Sequence, residues 1–257
     1  MSRYRDSSFV LVLAAVLVCL AASSPSSQIL EEIYLVESPT AGIVPHGGYL
    51  FMGGIGPSNS LLFGAKIGFY DRLLLGVSFG LQNFIGRGEV EVNDRPGFQI
   101  RFRIIEEGKY GPALALGLDT QGEGVYHEDD ERYDRKSKGF YAVISRNYRF
   151  LTDISFHAGV NYSLEREDEE SVNAFGGLAI TLIPGFSIIG DYSASLDDDD
   201  SDNPSARTRG YGYLDVGLRF DYGENLRLKL NFKDLLDNYK PESGVARTFE
   251  LFYVNYF

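Results

Sequence analysis

Residues 226–233 read LRLKLNFK. Successive side chains of a strand point to opposite faces, so Leu226, Leu228, Leu230 and Phe232 share one side of an extended chain. Arg227, Lys229, Asn231 and Lys233 share the other. The same alternation recurs in FQIRFRII (98–105) and in DISFHAGVNYSL (153–164). In the first, Phe98, Ile100, Phe102 and Ile104 oppose Gln99, Arg101 and Arg103. In the second, Ile154, Phe156, Ala158, Val160, Tyr162 and Leu164 oppose Ser155, His157, Gly159, Asn161 and Ser163.

Beyond residue 46 no long stretch repeats with a helical period. Alternating segments are predicted near 47–56, 59–69, 73–83, 96–105, 111–120, 138–148, 152–164, 172–182, 186–196, 210–221, 225–234 and 247–257. Each is about ten residues, the length of tilted strand that crosses a bilayer's hydrocarbon core. The connections alternate. YDR, EEGKY, RFL, IPG and YGEN are tight, whereas FIGRGEVEVNDR, QGEGVYHEDDERYDRKS, EREDEES, DDDDSDNPSARTR and LDNYKPESGVA are long. Only the first hairpin, at GPSN, lacks a long loop on that side. A soluble sandwich has no reason to gather its long loops at one end. An outer-membrane barrel does, with short turns periplasmic and long loops outside. Its apolar side chains meet lipid and its polar ones line the interior. The expected fold is therefore all-β: a transmembrane, antiparallel, up-and-down barrel of about twelve strands over residues 47–257, in the bacterial outer membrane.

Composition agrees. Seventeen Tyr, eighteen Phe and 29 Gly with no Trp suit strands and turns. MSRYRDSS followed by FVLVLAAVLVCLAA reads as a secretory signal peptide over 1–24, cut near Ala22–Ser24. Cys19 follows Val18 rather than the small residue that a lipid-attachment site needs. The exported chain would then lack cysteine and depend on backbone pairing and packing. One net positive charge leaves with residues 1–24, so −12 becomes −13. That balance excludes nucleic acid as a partner. Most of the excess sits in 121–137 (net −3), 165–171 (net −4) and 197–209 (net −3), which places it on the outer rim. Outer-membrane lipid and glycolipid, and barrel-assembly machinery during insertion, are the expected partners.

VESPTAGIVPHGGY, LLLGVSFGLQNFIGRGE, RPGFQIRFRIIEEG, PALALGLDTQGEG and SKGFYAVISRNY resemble a recurring family of uncharacterised bacterial exported barrels. The resemblance spans about residues 36–164. LALGLDTQGEGVY…SKGFY is similar, more weakly, to larger barrels associated with exopolysaccharide or capsule secretion. It implies a place, a fold and polysaccharide-export components as candidate partners. It implies no catalytic residues.

Pro39, Gly42, Pro45 and Gly47–Gly48 break regular structure ahead of the first strand. Residues 25–46 are thus either a segment tucked into the lumen or an ordered lead-in at the periplasmic mouth. The alternation turns Lys66, Gln82, Arg101, Arg103, Asp119, His157, Asp191, Asp215, Arg219, Arg227, Lys229, Lys233 and Glu250 inward. Basic side chains around a pore select anions; mutual neutralisation by the carboxylates is the competing outcome. Asp197, Asp198, Asp199, Asp200 and Asp202 are candidate oxygen ligands for calcium or magnesium, although their spacing fits no helix-loop-helix site. His157, Ser155 and Asn161 are suitable types for nucleophilic catalysis, but residues two apart on one strand form a row rather than a constellation. His127 lies in the acidic loop YHEDDERYD. No catalytic residue, cofactor or metal cluster is assigned.

FELFYVNYF (249–257) reads as the closing strand, with Phe249, Leu251, Tyr253 and Phe257 toward lipid and Glu250, Phe252, Val254 and Tyr256 inward. Tyr253 and Phe257 resemble the C-terminal signature recognised for barrel insertion; Asn255 departs from it. The leading functional reading is a structural or accessory barrel serving envelope polysaccharide export or surface attachment. A narrow solute channel with a charged lumen is the alternative, and an outer-membrane hydrolase is a third.

Overall fold

A computed structural model describes residues 30–57, 60–84, 90–93, 95–165, 172–198, 207–241 and 243–257. The signal peptide expected at 1–24 lies outside the described residues. The strands, in chain order, are β1 (Gly48–Ile55), β2 (Leu61–Phe69), β3 (Leu73–Gln82), β4 (Glu91–Val92), β5 (Gly97–Ile105), β6 (Ala113–Asp119), β7 (Glu123–His127), β8 (Arg132–Arg135), β9 (Gly139–Arg149), β10 (Asp153–Tyr162), β11 (Asn173–Ile183), β12 (Phe186–Ser193), β13 (Tyr213–Tyr222), β14 (Leu226–Lys233) and β15 (Ala246–Tyr256).

Twelve of these close into an antiparallel barrel, in which each pairs with its neighbour in the chain once β4, β7 and β8 are set aside. The closing seam joins β1 to β15, from Gly48↔Tyr256 to Ile55↔Phe249. Closure leaves the barrel without an unpaired sheet edge, as lipid demands. The barrel strands match the twelve predicted segments to within a few residues. β4 adds two residues to the loop edge of β3, at Leu81↔Val92 and Gln82↔Glu91. Within the long connection 121–137, β7 and β8 pair as a separate two-stranded hairpin.

One end of the barrel carries the tight turns. At the β2–β3 turn Tyr70 and Asp71 take φ of 52° and 55°. Arg72 N–H donates to the Phe69 carbonyl at 3.1 Å, closing a tight turn around these two left-handed residues. The other end carries the long loops.

Large apolar side chains face outward all round: Phe51, Phe63, Phe79, Phe102, Leu116, Phe140, Phe156 and Phe249 are exposed. Charged ones face inward and are buried: Arg101, Lys229, Asp191 and Asp215 are each at most 2% exposed. A soluble barrel has the opposite polarity. With an apolar belt outside and ions within, this is a membrane-spanning barrel. Inside, Leu50, Leu74, Phe252 and Val254 form an apolar cluster with Ile33, Ile43 and Val44, residues that precede β1.

Candidate functional site: a strap across the lumen

Residues 30–46 run into the barrel and back. Leu35 N–H donates to the Ser38 carbonyl at 3.0 Å, and Thr40 N–H to the Ile33 carbonyl at 3.1 Å. Tyr34 and Pro39 form an isolated antiparallel bridge. The result is a narrow hairpin, here called the strap, with its tip at residues 36–38. Both arms lie toward the turn end. Arg227 Nη2 donates to the Leu30 carbonyl at 2.9 Å, and His46 N–H donates to Asp71 Oδ1 at 2.7 Å. The barrel wall makes room for it. A Cβ added to Gly68 would lie 1.9 Å from the Val44 carbonyl oxygen, and one on Gly177 would lie 2.5 Å from Leu35 Cδ1.

Most of the charges that the alternation turned inward hold this strap. The Glu32 carboxylate meets three cations: Lys229 Nζ at 2.7 Å, Arg227 Nη1 at 3.5 Å, and Arg219 in a close pair. Lys229 also donates to the carbonyls of Tyr34 and Leu35, at 2.6 and 2.9 Å. Arg101 Nη1 clamps both arms, donating to the Ile33 carbonyl at 2.9 Å and to that of Gly42 at 2.7 Å. At the tip, Val36, Glu37 and Ser38 all donate backbone N–H groups to Asp191 Oδ2, at 3.1, 3.0 and 2.7 Å. Tyr34 donates its hydroxyl to Asp119 at 2.6 Å. Lys233 pairs with Glu37, and Arg103 with Glu31 at 2.5 Å near the turn-end mouth. Lys66 lies over the Tyr34 ring, 5.2 Å from its centroid. Glu250 sits opposite Lys229 in the β14–β15 register.

Burial alone would push the Glu32 carboxyl up. Lys229, Arg227 and Arg219 overcome that and hold it well below the usual carboxylate range. Glu37 is lowered in the same way, its burial outweighed by Lys233 and Arg135. Sequence reasoning found the cations but not the acids that neutralise them. Glu31, Glu32 and Glu37 lie outside any alternating segment.

The hairpin β7–β8 folds over the loop end. Arg135 Nη1 donates to Asp215 Oδ2 at 2.7 Å, and Lys233 pairs with Glu123 at 2.8 Å. Arg132 pairs with Asp198 at 2.9 Å, both side chains 3% exposed. His127 Nε2 lies 2.7 Å from Asp134 Oδ1, which also accepts the Tyr239 hydroxyl at 2.6 Å. Several charges of these acidic loops are thus paired rather than free. Asp197 and Asp198 are buried; Asp199, Asp200 and Asp202 lie outside the described residues. Among the described residues no three His, Cys, Asp or Glu side chains group as a metal site.

The β9–β10 register places Ser145 opposite His157, with Ser145 Oγ 2.7 Å from His157 Nδ1. The pairing crosses strands, so no motif in the sequence signals it. His157 Nε2 meets Ser155 Oγ at 3.0 Å rather than a carboxylate, and Ser145 Oγ accepts the Ala41 N–H at 2.8 Å. Asn161 Nδ2 donates instead to the Lys138 carbonyl. This row therefore also serves the strap. At the closing strand Tyr253 and Phe257 face outward, and Phe257 is 82% exposed. Tyr256, expected inward, is exposed, at the end of β15.

Two cavities flank the strap. One of about 290 Å³ at the loop end is lined by Tyr34, Glu37, Lys66, Asp119, Arg135 and Lys233. One of about 980 Å³ at the turn end is lined by Glu31, Glu32, Gly42, Arg103, Arg219 and Arg227.

No family model matches the chain, and no curated protein matches it. Among solved structures it is similar to the KdgM porin, at 7% identity and a TM-score of 0.49, over 80% of this chain and 98% of that one. It is also similar to the NanC porin, at 9% identity and 0.48, over 81% and 99%. Omp33 of Acinetobacter baumannii gives 6% identity and 0.37, over 83% and 99%.

Proposed function

We propose that the chain is an outer-membrane channel that its own strap closes, and that it conducts when the strap withdraws. One observation carries this reading: the strap's residues line the facing walls of both cavities. A purely structural or export-accessory barrel would be expected to fill its centre with the side chains of its own strands. Here the segment ahead of β1 fills it, held by ion pairs and carbonyl contacts that can be exchanged for water. The outer membrane is the compartment suited to a closed barrel with short turns at one end and long loops at the other. The Ser145–His157–Ser155 row lacks a carboxylate to orient the imidazole, which favours the channel over a hydrolase.

The emptied lumen is basic. Lys66, Arg101, Arg103, Arg219, Arg227, Lys229 and Lys233 would face Asp119, Asp191, Asp215, Asp221 and Glu250. With Glu31, Glu32 and Glu37 gone, cations exceed carboxylates and anions should pass preferentially. Planar-bilayer recording tests this. The full chain is expected to be mostly silent. Deletion of residues 30–44, or the milder Glu32→Ala, should give discrete anion-selective steps, and Arg227→Glu with Lys229→Glu should reverse the selectivity. Silence of both strap variants, shown to be folded by the mobility shift of unboiled samples, would end the channel reading.

A further inference from the structure

We propose that the turn-end cavity is a binding site for a small carboxylate-bearing solute, which opens the channel by replacing Glu32 among Arg219, Arg227 and Lys229. This rests on the channel reading above. Glu32 already shows what the cluster accepts, since its two oxygens engage all three cations at once. The cluster is not saturated by it. Asp221 is the other carboxylate in contact, 3.1 Å from Arg219 Nε and 2.5 Å from Arg227 Nε. Within ion-pair distance three positive charges thus meet two negative ones, with Glu250 facing Lys229 from farther off, and an acid with more than one carboxylate would satisfy the site better than Glu32 does. Arg219, Arg227, Glu32 and Asp221 all line the cavity of about 980 Å³, so a solute there reaches the two arginines without crossing the strap, and Lys229, buried behind Glu32, once that carboxylate is displaced. Arg103, paired with Glu31, stands in the same cavity. The effector therefore acts from the turn end.

Displacement has a direct mechanical result. Lys229 joins Glu32 to the Tyr34 and Leu35 carbonyls through one ammonium group. A solute that captures Lys229 competes with all three bonds.

Citrate is a suitable probe, with chloride at matched ionic strength as control. The chain has no tryptophan, so Leu30→Trp supplies a single indole, excited selectively at wavelengths beyond tyrosine absorption, in the turn-end cavity that Leu30 lines. Citrate on the turn side should raise the open probability of the full chain about tenfold, equivalent to about 1.4 kcal/mol of preference for the open state. Fluorescence should report citrate binding, tightened about tenfold by Glu32→Gln and weakened about tenfold by Arg219→Gln. Mere screening would move all three proteins equally and match the chloride control, which would overturn the proposal. So would a response confined to the loop side. If the 30–44 deletion conducts while citrate neither binds nor opens the full chain, this site fails and the channel stands. If citrate binds but no variant conducts, the channel fails.

Discussion

Glu32 is a carboxylate with almost no water, and three cations keep it charged. A depressed acid contributes stability that is fully present above its ordinary pKa of 4.5 and is lost as pH falls through the lower folded value. Strap release by acid should therefore not centre near 4.5. The Leu30→Trp signal, which sits beside the Glu32 cluster and not at the strap tip, is expected to show no transition centred at 4.5, and one centred there would contradict the ion pairing of Glu32. Removing the carboxylate leaves buried cations uncompensated, at a cost of roughly 3–5 kcal/mol. Gly68 tests steric fit instead of charge. The atoms nearest its added Cβ belong to Val44 and Pro45, not to the barrel wall. Gly68→Ala is expected to raise open probability at least as much as Glu32→Ala, with the unfolding temperature of the barrel nearly unchanged. At this scale the sequence showed which charges turn inward, because strand period settles that. It could not show what they touch. Arg219 and Glu32 are 187 residues apart, and Ser145 meets His157 only through a register between strands.

The elements differ in how openly they can be read. The barrel strands carry a period of two over 7 to 11 residues, enough to stand out. The hairpin β7–β8 has arms of only 5 and 4 residues, rich in charge, and looks like any acidic loop. It is ordered by distant partners: Arg132 to Asp198, Arg135 to Asp215, Glu123 to Lys233. The strap has no period at all, and its Pro and Gly spelled irregularity without saying where it lies. Arg132→Ala should free the hairpin, since it strands a buried Asp198. Limited trypsin digestion of the folded barrel is expected to cut after Arg135, Lys136 or Lys138 many times faster in this variant. Unchanged digestion would mean that the hairpin is held by other contacts.

At the scale of the whole molecule, lipid takes the part that a hydrophobic core plays elsewhere. Leu116, near the middle of β6, is 47% exposed. Leu116→Arg should destabilise folding into bilayers by about 2–4 kcal/mol, as measured by urea titration in vesicles. The same change at an inward position would be a question of ion pairing instead.

The strap enters and leaves by the turn end, and its second arm runs straight into β1, where Phe257 N–H donates to the Gly47 carbonyl at 3.2 Å. A withdrawn strap thus never diffuses away. It stays leashed at the mouth, at an effective concentration of the order of millimolar for so short a tether. Re-closure is then a first-order event that dilution cannot slow. A free peptide of residues 30–46 added to the deletion variant should block only near that concentration, and from the turn side alone.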